Sequence, residues 1–179
     1  MTTHSQLIQE LTLRTEQVDD YQKIEALLDS AFKGHAEAEL VDRIRRSPQY
    51  VNEMTLVATK GAQVLGFIML SHVTLQGEND SFTVWSLAPV AVLPAVQKMG
   101  IGGKLILESI RLAEERPEPV IVLLGHASYY PRFGFERASA HNIYPPVVWP
   151  DNSYMVRTLP KWTPAVKGRI IYTPAWQIS

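Results

Sequence analysis

Gly100, Gly102 and Gly103 fall within four positions of the stretch LPAVQKMGIGGKL, with an apolar run before them and an amphipathic helical pattern after them. Glycine lacks Cβ and takes unusual backbone angles at little cost, so consecutive N–H groups in such a segment can turn toward one anion. A helix that starts here adds its unpaired N-terminal donors and the positive end of its dipole. The chemistry offered is the binding of a phosphate or pyrophosphate. On the glycines alone, a tight strand-to-helix turn with no ligand fits equally well.

Single residues exclude two familiar phosphate loops. A dinucleotide fingerprint, G-x-G-x-x-G, takes its first two glycines from Gly100 and Gly102 but meets Leu105 at the third, where helix and strand must pack closely. A P-loop, G-x-x-x-x-G-K-[ST], meets Val96 at its first glycine and Leu105 at its hydroxyl. The run before the loop, FTVWSLAPVAV, is broken by Pro89. A proline inside a strand marks an edge, a bulge or a stop in pairing. The backbone groups it frees can pair with an extended, amide-bearing ligand as if with another strand.

These residues need elements to hold them. Leu11 to Gln17 alternates and predicts a strand. Asp19 and Gln22 form a capping-box pattern, Ile24, Leu27, Leu28 and Ala31 give a helical stripe, and Gly34 suits its end. Glu37 to Arg46 predicts a second helix with Leu40, Val41 and Ile44 on one face, stopped at Ser47-Pro48. EMTLVAT and QVLGFIMLSHVTL, separated by Lys60-Gly61-Ala62, predict a hairpin, and Phe82 to Val92 a further strand. After the glycines, Ile106, Leu107, Ile110 and Ala113 stripe a helix that ends by Pro117. Pro119 to Gly125 reads as a central strand, ASYYPRFGF as a short turn or helix, and Ser153 to Leu159 as a late strand. The Pro- and Trp-rich tail is irregular and apolar enough to pack on the body. The order is one α/β (α+β) layer structure, residues 1–179 forming a single domain, with antiparallel strands first and a βαβ crossover around the glycine loop.

Seventeen basic and eighteen acidic side chains give a net charge of -1, which supplies no bulk attraction toward nucleic acid or an anionic membrane. The absence of cysteine excludes disulfides, thiol catalysis and cysteine-ligated zinc. No apolar run approaches the roughly 18 residues of a membrane helix, and the polar N-terminus shows no secretory signal. A cytoplasmic protein with no metal, nucleic-acid or membrane partner is the expectation.

The residues now carry a resemblance. VAVLPAVQKMGIGGKL resembles motif A of the GNAT superfamily of N-acetyltransferases, Q/R-x-x-G-x-G/A after a strand, with Gln97, Gly100 and Gly102 at the motif positions. LLGHASYYPRFGF resembles the superfamily's second signature, a tyrosine four residues before Gly-Phe, here Tyr130 before Gly134-Phe135. Ala31-Phe32, the segment from Glu37 to Arg45, LAPVAVLP and YYPRFGF resemble the YhbS-like bacterial branch. The resemblance covers nearly the whole chain. It implies a mixed, mostly antiparallel sheet flanked by helices, with a splayed strand pair around an acyl-CoA site. It implies acetyl-CoA as acyl donor, with the backbone of Val90, Ala91 and Val92 along the pantetheine arm. The amides of Lys98, Met99, Gly100, Ile101, Gly102 and Gly103 are expected on the pyrophosphate, with Gln97 and Lys104 beside them.

Acyl transfer to an amine requires a neutral amine, a stabilised oxyanion and a leaving thiolate. By motif position Tyr130 is the acid for the thiolate; by type alone it is one aromatic in a cluster with Tyr129, Phe133 and Phe135, and Tyr129 is expected to point the other way. A backbone N–H near Val92 is the oxyanion donor. A primary amine with a pKa near 10.4 is roughly one part in a thousand neutral at pH 7, so a base helps. Phe82 to Val92 holds no carboxylate or histidine, unlike some members of the superfamily. His126 is the leading base, with His72 an option, and Glu37 and Glu39 are placed to face the acceptor. Two functions stay open: an N-acetyltransferase acting on a small-molecule or protein amine as monomer or homodimer, and a catalytically silent acyl-CoA-binding module.

Overall fold

The computed structural model describes residues 4–177. Its helices are α1 (His4–Gln9), α2 (Tyr21–Phe32), α3 (Ala36–Arg45) and α4 (Ile101–Glu114). Its strands are β1 (Thr12–Thr15), β2 (Thr55–Lys60), β3 (Gln63–Gln76), β4 (Ser81–Val92), β5 (Val120–Leu124), β6 (Glu136–Arg137), β7 (Ile143–Tyr144), β8 (Tyr154–Thr158) and β9 (Gly168–Ile171). They form one sheet in the order β1-β2-β3-β4-β5-β8-β6, with β9 joined to the far end of β3 and β7 to β9. Pairing is antiparallel except between β4 and β5 and between β7 and β9. No helix among the described residues is long and apolar enough to cross a membrane.

Side-chain alternation along the strands sends apolar residues to both faces. On β5, Val120 and Val122 join the core under α2 and α3, while Ile121 and Leu123 join the core under α4. The β4 alternation is inverted partway along. Leu70 pairs with Leu87 and Ile68 with Val90, so Ala88 and Pro89 together oppose Met69. This bulge is the outcome the proline allowed. One extra residue flips every later side chain, and Val90 and Val92 therefore pack toward α4 rather than α2.

Four local readings change. Residues 4–9 form α1, which buries Leu7, although no helix was expected in so polar a segment. Asp20, not Asp19, marks the entry to α2. Its carboxylate accepts the Gln17 N–H at 2.8 Å and hydrogen bonds from Arg14 Nη1 and Nη2 at 2.6 and 3.0 Å. That hydrogen-bonded pairing with Arg14 holds the Asp20 carboxyl below the ordinary carboxylate range. Its stabilisation is present above the ordinary value and is lost as pH falls through the lower one. Lys33, not Gly34, takes the left-handed position after α2, at φ 54°. The tail includes β9, whose single buried apolar residue, Ile170, is too short a pattern to announce a strand.

α4 lies against β3 at Gly66. A Cβ there would sit 2.9 Å from both Ile101 Cγ2 and Leu105 Cδ1, and both of those side chains are fully buried. The glycine that lets helix and strand approach is on the strand, and Leu105 fills the space it leaves. We predict that Gly66→Ala lowers unfolding free energy by about 1–3 kcal/mol, the scale of overpacking, as measured by urea denaturation.

Candidate active site

β4 and β5 are in register only at Trp85 with Ile121 and Ser86 with Val122. Beyond that they part, and a wedge opens between Leu87–Val92 and the end of β5. The Leu93 N–H donates to Leu65 at 2.9 Å, which sets the phase of the β3–β4 ladder. Ala91 then bonds to β3, whereas Val90 and Val92 aim N–H and C=O into the wedge. The Val92 carbonyl accepts Gln97 Nε2 at 3.1 Å, so Gln97 ties the glycine loop to the strand end.

In the loop, Lys98 (φ 62°) and Gly100 (φ 85°) are both left-handed and reverse the chain about Met99. Lys104 is the first N–H to find a carbonyl, at Gly100, 3.1 Å away. The amides of Lys98 through Gly103 have no carbonyl partner among the described residues. Those of Ile101 to Gly103 are the unpaired start of a fourteen-residue helix, where an anion is favoured, and those of Lys98 to Gly100 lead into it.

The wedge and loop line one cleft of about 990 Å³. Its walls include Val90, Ala91 and Val92, then Gln97, Lys98 and Gly100 to Gly103, and opposite them His126 and Tyr130. Met99 instead packs toward the α4 core, and the exposed Lys104 stands outside. Sequence reasoning missed Arg132 and Phe133 in this cleft and expected Tyr129 to face away. Tyr129 does line it. Its hydroxyl reaches the loop, 3.4 Å from where a Gly102 Cβ would be, while its ring stands at 83° to that of Tyr130. Arg132 Nε donates to the Tyr129 carbonyl at 2.9 Å, and its guanidinium lies 4.7 Å from the Tyr129 ring centre.

A second cavity of about 500 Å³ lies across the wedge, and its wall shares Val90, His126 and Tyr130 with the cleft. Glu37 lines it, together with Phe32, Leu40, Trp149, Tyr172 and Trp176. Glu39 is not brought there. Two residues along a helix is more than half a turn, and Glu39 faces Arg43, 3.8 Å away. His72 is also remote. It stacks on Trp85 at 4.3 Å and bonds the buried Glu118 at 2.7 Å, at the paired end of β4 and β5.

Tyr130 is 8% exposed, and burial pushes its phenol up to about 12. Its ring meets Tyr129 and Phe135 edge-on at 5.1 and 5.8 Å and lies over Gly125. Its hydroxyl has no hydrogen-bond partner among the described residues.

Residues 12–138 match the acetyltransferase (GNAT) domain family. The chain belongs to the GNAT acetyltransferase family. This acetyltransferase is 33% identical over 145 residues to the uncharacterized N-acetyltransferase YjhQ of Escherichia coli, covering 81% of this chain and 77% of YjhQ. Its fold superposes on the crystal structure of the Escherichia coli N-acetyltransferase YhbS in complex with CoA. The TM-score is 0.86, the identity 29%, and the coverage 94% of this chain and 93% of that one. A GNAT acetyltransferase from Brucella melitensis in complex with acetyl-CoA gives a TM-score of 0.74 at 30% identity, over 93% and 98% of the two chains.

Gly125 tests how tightly the acetyltransferase holds Tyr130. A Cβ at this position would lie 2.4 Å from Tyr130 Cε2. Gly125→Ala is expected to displace the ring and lower the rate of acetyl transfer at least tenfold, with far-UV circular dichroism unchanged.

Proposed function

We propose that the protein transfers an acetyl group from acetyl-CoA to a primary amine by direct attack within one ternary complex. The observation that carries this is the wall shared by two cavities, where the unpaired Tyr130 hydroxyl and His126 meet the Val90–Val92 edge. One cavity ends at a row of free amides suited to a pyrophosphate; the other suits an acceptor. The cleft also fits the donor's amide-bearing arm, because the Val90 N–H and C=O and the Val92 N–H face it, the Val92 carbonyl being taken by Gln97.

Acetyl-CoA supplies an activated acetyl thioester. The Val92 N–H donates to the acyl oxygen as negative charge builds on it. His126 takes a proton from the attacking amine. Tyr130 donates toward the departing sulfur. A phenol near 12 does not surrender its proton outright to a thiolate whose thiol has an ordinary value near 8.5. Tyr130 therefore gives a strong hydrogen bond first and completes the transfer as the amine loses its own proton. In the balance, an N–C bond forms, the C–S bond breaks, one proton leaves the amine and one arrives at sulfur.

Tyr130→Phe is expected to lower kcat by about 10²-fold or more with the Kd of acetyl-CoA unchanged, read by CoA release and calorimetry. Because burial raises the phenol, the acid form persists to high pH. The wild-type rate should rise with amine deprotonation and show no falling limb from Tyr130 below about pH 11. Gly102→Val would place a branched side chain among the free amides, between Tyr129 and Val92. It should abolish acetyl-CoA binding by calorimetry, and retained micromolar affinity would sink the proposed loop–pyrophosphate contact.

A further inference from the structure

The second cavity carries more information than its position, and what it implies for the acceptor rests on the transferase reading above. Its walls are largely apolar and aromatic, with Phe32 from the end of α2, Leu40 from α3, and Trp149, Tyr172 and Trp176 from the C-terminal third. The tail is anchored there. Arg43 Nε donates to the Ala175 carbonyl at 2.9 Å, Tyr172 lies 4.8 Å from Trp176 ring to ring, and the Tyr172 and Tyr154 hydroxyls are 3.0 Å apart. These contacts make the aromatic wall part of the packed body.

One charged side chain stands among these walls. Glu37 lines the cavity, is half-buried, and has no ion-pair or hydrogen-bond partner among the described residues. Its helix neighbours are engaged: Glu39 faces Arg43, and Asp42 pairs with Arg46. No lysine or arginine lines the cavity. A lone carboxylate between low-dielectric walls focuses its field on an entering cation, and aromatic faces add attraction for the same charge.

The charge count separates acceptor classes. A polyamine would bring ammonium groups with no second carboxylate to meet them. An amino acid would bring a carboxylate with no cation to meet it and with Glu37 to repel it. A volume of about 500 Å³ lies in the range that holds a small-molecule body. We propose that the acceptor is a small primary monoamine on an apolar, aromatic-sized body. Glu37 draws it in as the ammonium, and Phe32, Trp149, Tyr172 and Trp176 seat the body. The amine then loses its proton and reacts at the wall shared with the donor cleft.

The test compares 2-phenylethylamine, L-phenylalanine, spermidine and a short lysine-containing peptide as acceptors with the full-length enzyme and acetyl-CoA. CoA release is measured for each, and saturation-transfer NMR reads amine binding independently of turnover. The expected result is that kcat/KM for 2-phenylethylamine exceeds that of every other acceptor at least tenfold. Glu37→Gln should raise its KM at least tenfold, with kcat within about threefold and the Kd of acetyl-CoA unchanged. Glu37→Asp should restore part of the loss, and Glu39→Gln should change nothing. A preference for spermidine, L-phenylalanine or the peptide overturns the proposal, as does a Glu37→Gln enzyme with unaltered KM. Tight, Glu37-dependent binding of 2-phenylethylamine without CoA release would keep the acceptor assignment and sink the transfer mechanism. CoA release with spermidine preferred would do the reverse.

Discussion

Backbone amides inside a sheet need partners, and the wedge of this protein exists because one strand runs out of them. After Ser86 and Val122, β5 no longer follows β4. The bulge at Ala88 and Pro89 then reverses the alternation of β4, so the Val90 and Val92 side chains face α4 while their backbone polar edge is turned away from β3. Unpaired groups at a sheet centre would be costly if sealed from water or ligand. Here they border an open cleft. The glycine loop, the Tyr130 block and the second cavity are all arranged around that edge.

The loop depends on the sheet through packing. Ile101 and Leu105 at the start of α4 are buried against Gly66, and Gln97 reaches back to the Val92 carbonyl. The free amides of Lys98 to Gly103 are thereby held at one end of the wedge. On the opposite side, the contacts of Tyr130 with Tyr129, Phe135 and Gly125 fix a phenol whose hydroxyl has no hydrogen-bond partner among the described residues. Similarity to CoA- and acetyl-CoA-bound acetyltransferases accords with these two halves facing each other.

Much of this was readable because it is local. A short run of glycines before a helical stripe announces free amides, and a proline in a strand announces a break in pairing. Tyr130 was legible through its spacing from Gly134 and Phe135. Glu37 was named together with Glu39, and the helical period separates the two: Glu37 extends the stripe of Val41 and Ile44 at i, i+4 and i+7, which places it on the inner side of α3 and Glu39 on the outer. Arg132 had no such signal, because its place depends on the Tyr129 ring it lies against. β9 was hidden because a four-residue strand with one buried side chain has no measurable period.

Composition, periodicity and two short signatures were enough to place the layer order, the glycine turn with its unpaired amides and Tyr130, since each is set by residues close together in the chain. Leu105 shows where such reasoning ends. As part of a fingerprint it argued against close helix–strand packing, yet the packing is close because a glycine thirty-nine positions earlier, Gly66, makes room for it. Val90 and Val92 rather than Ala91 facing the wedge, and Trp149, Tyr172 and Trp176 meeting Glu37, are likewise tertiary facts. They follow from ladder phase and from which distant segments share a wall, and neither leaves a pattern along the chain.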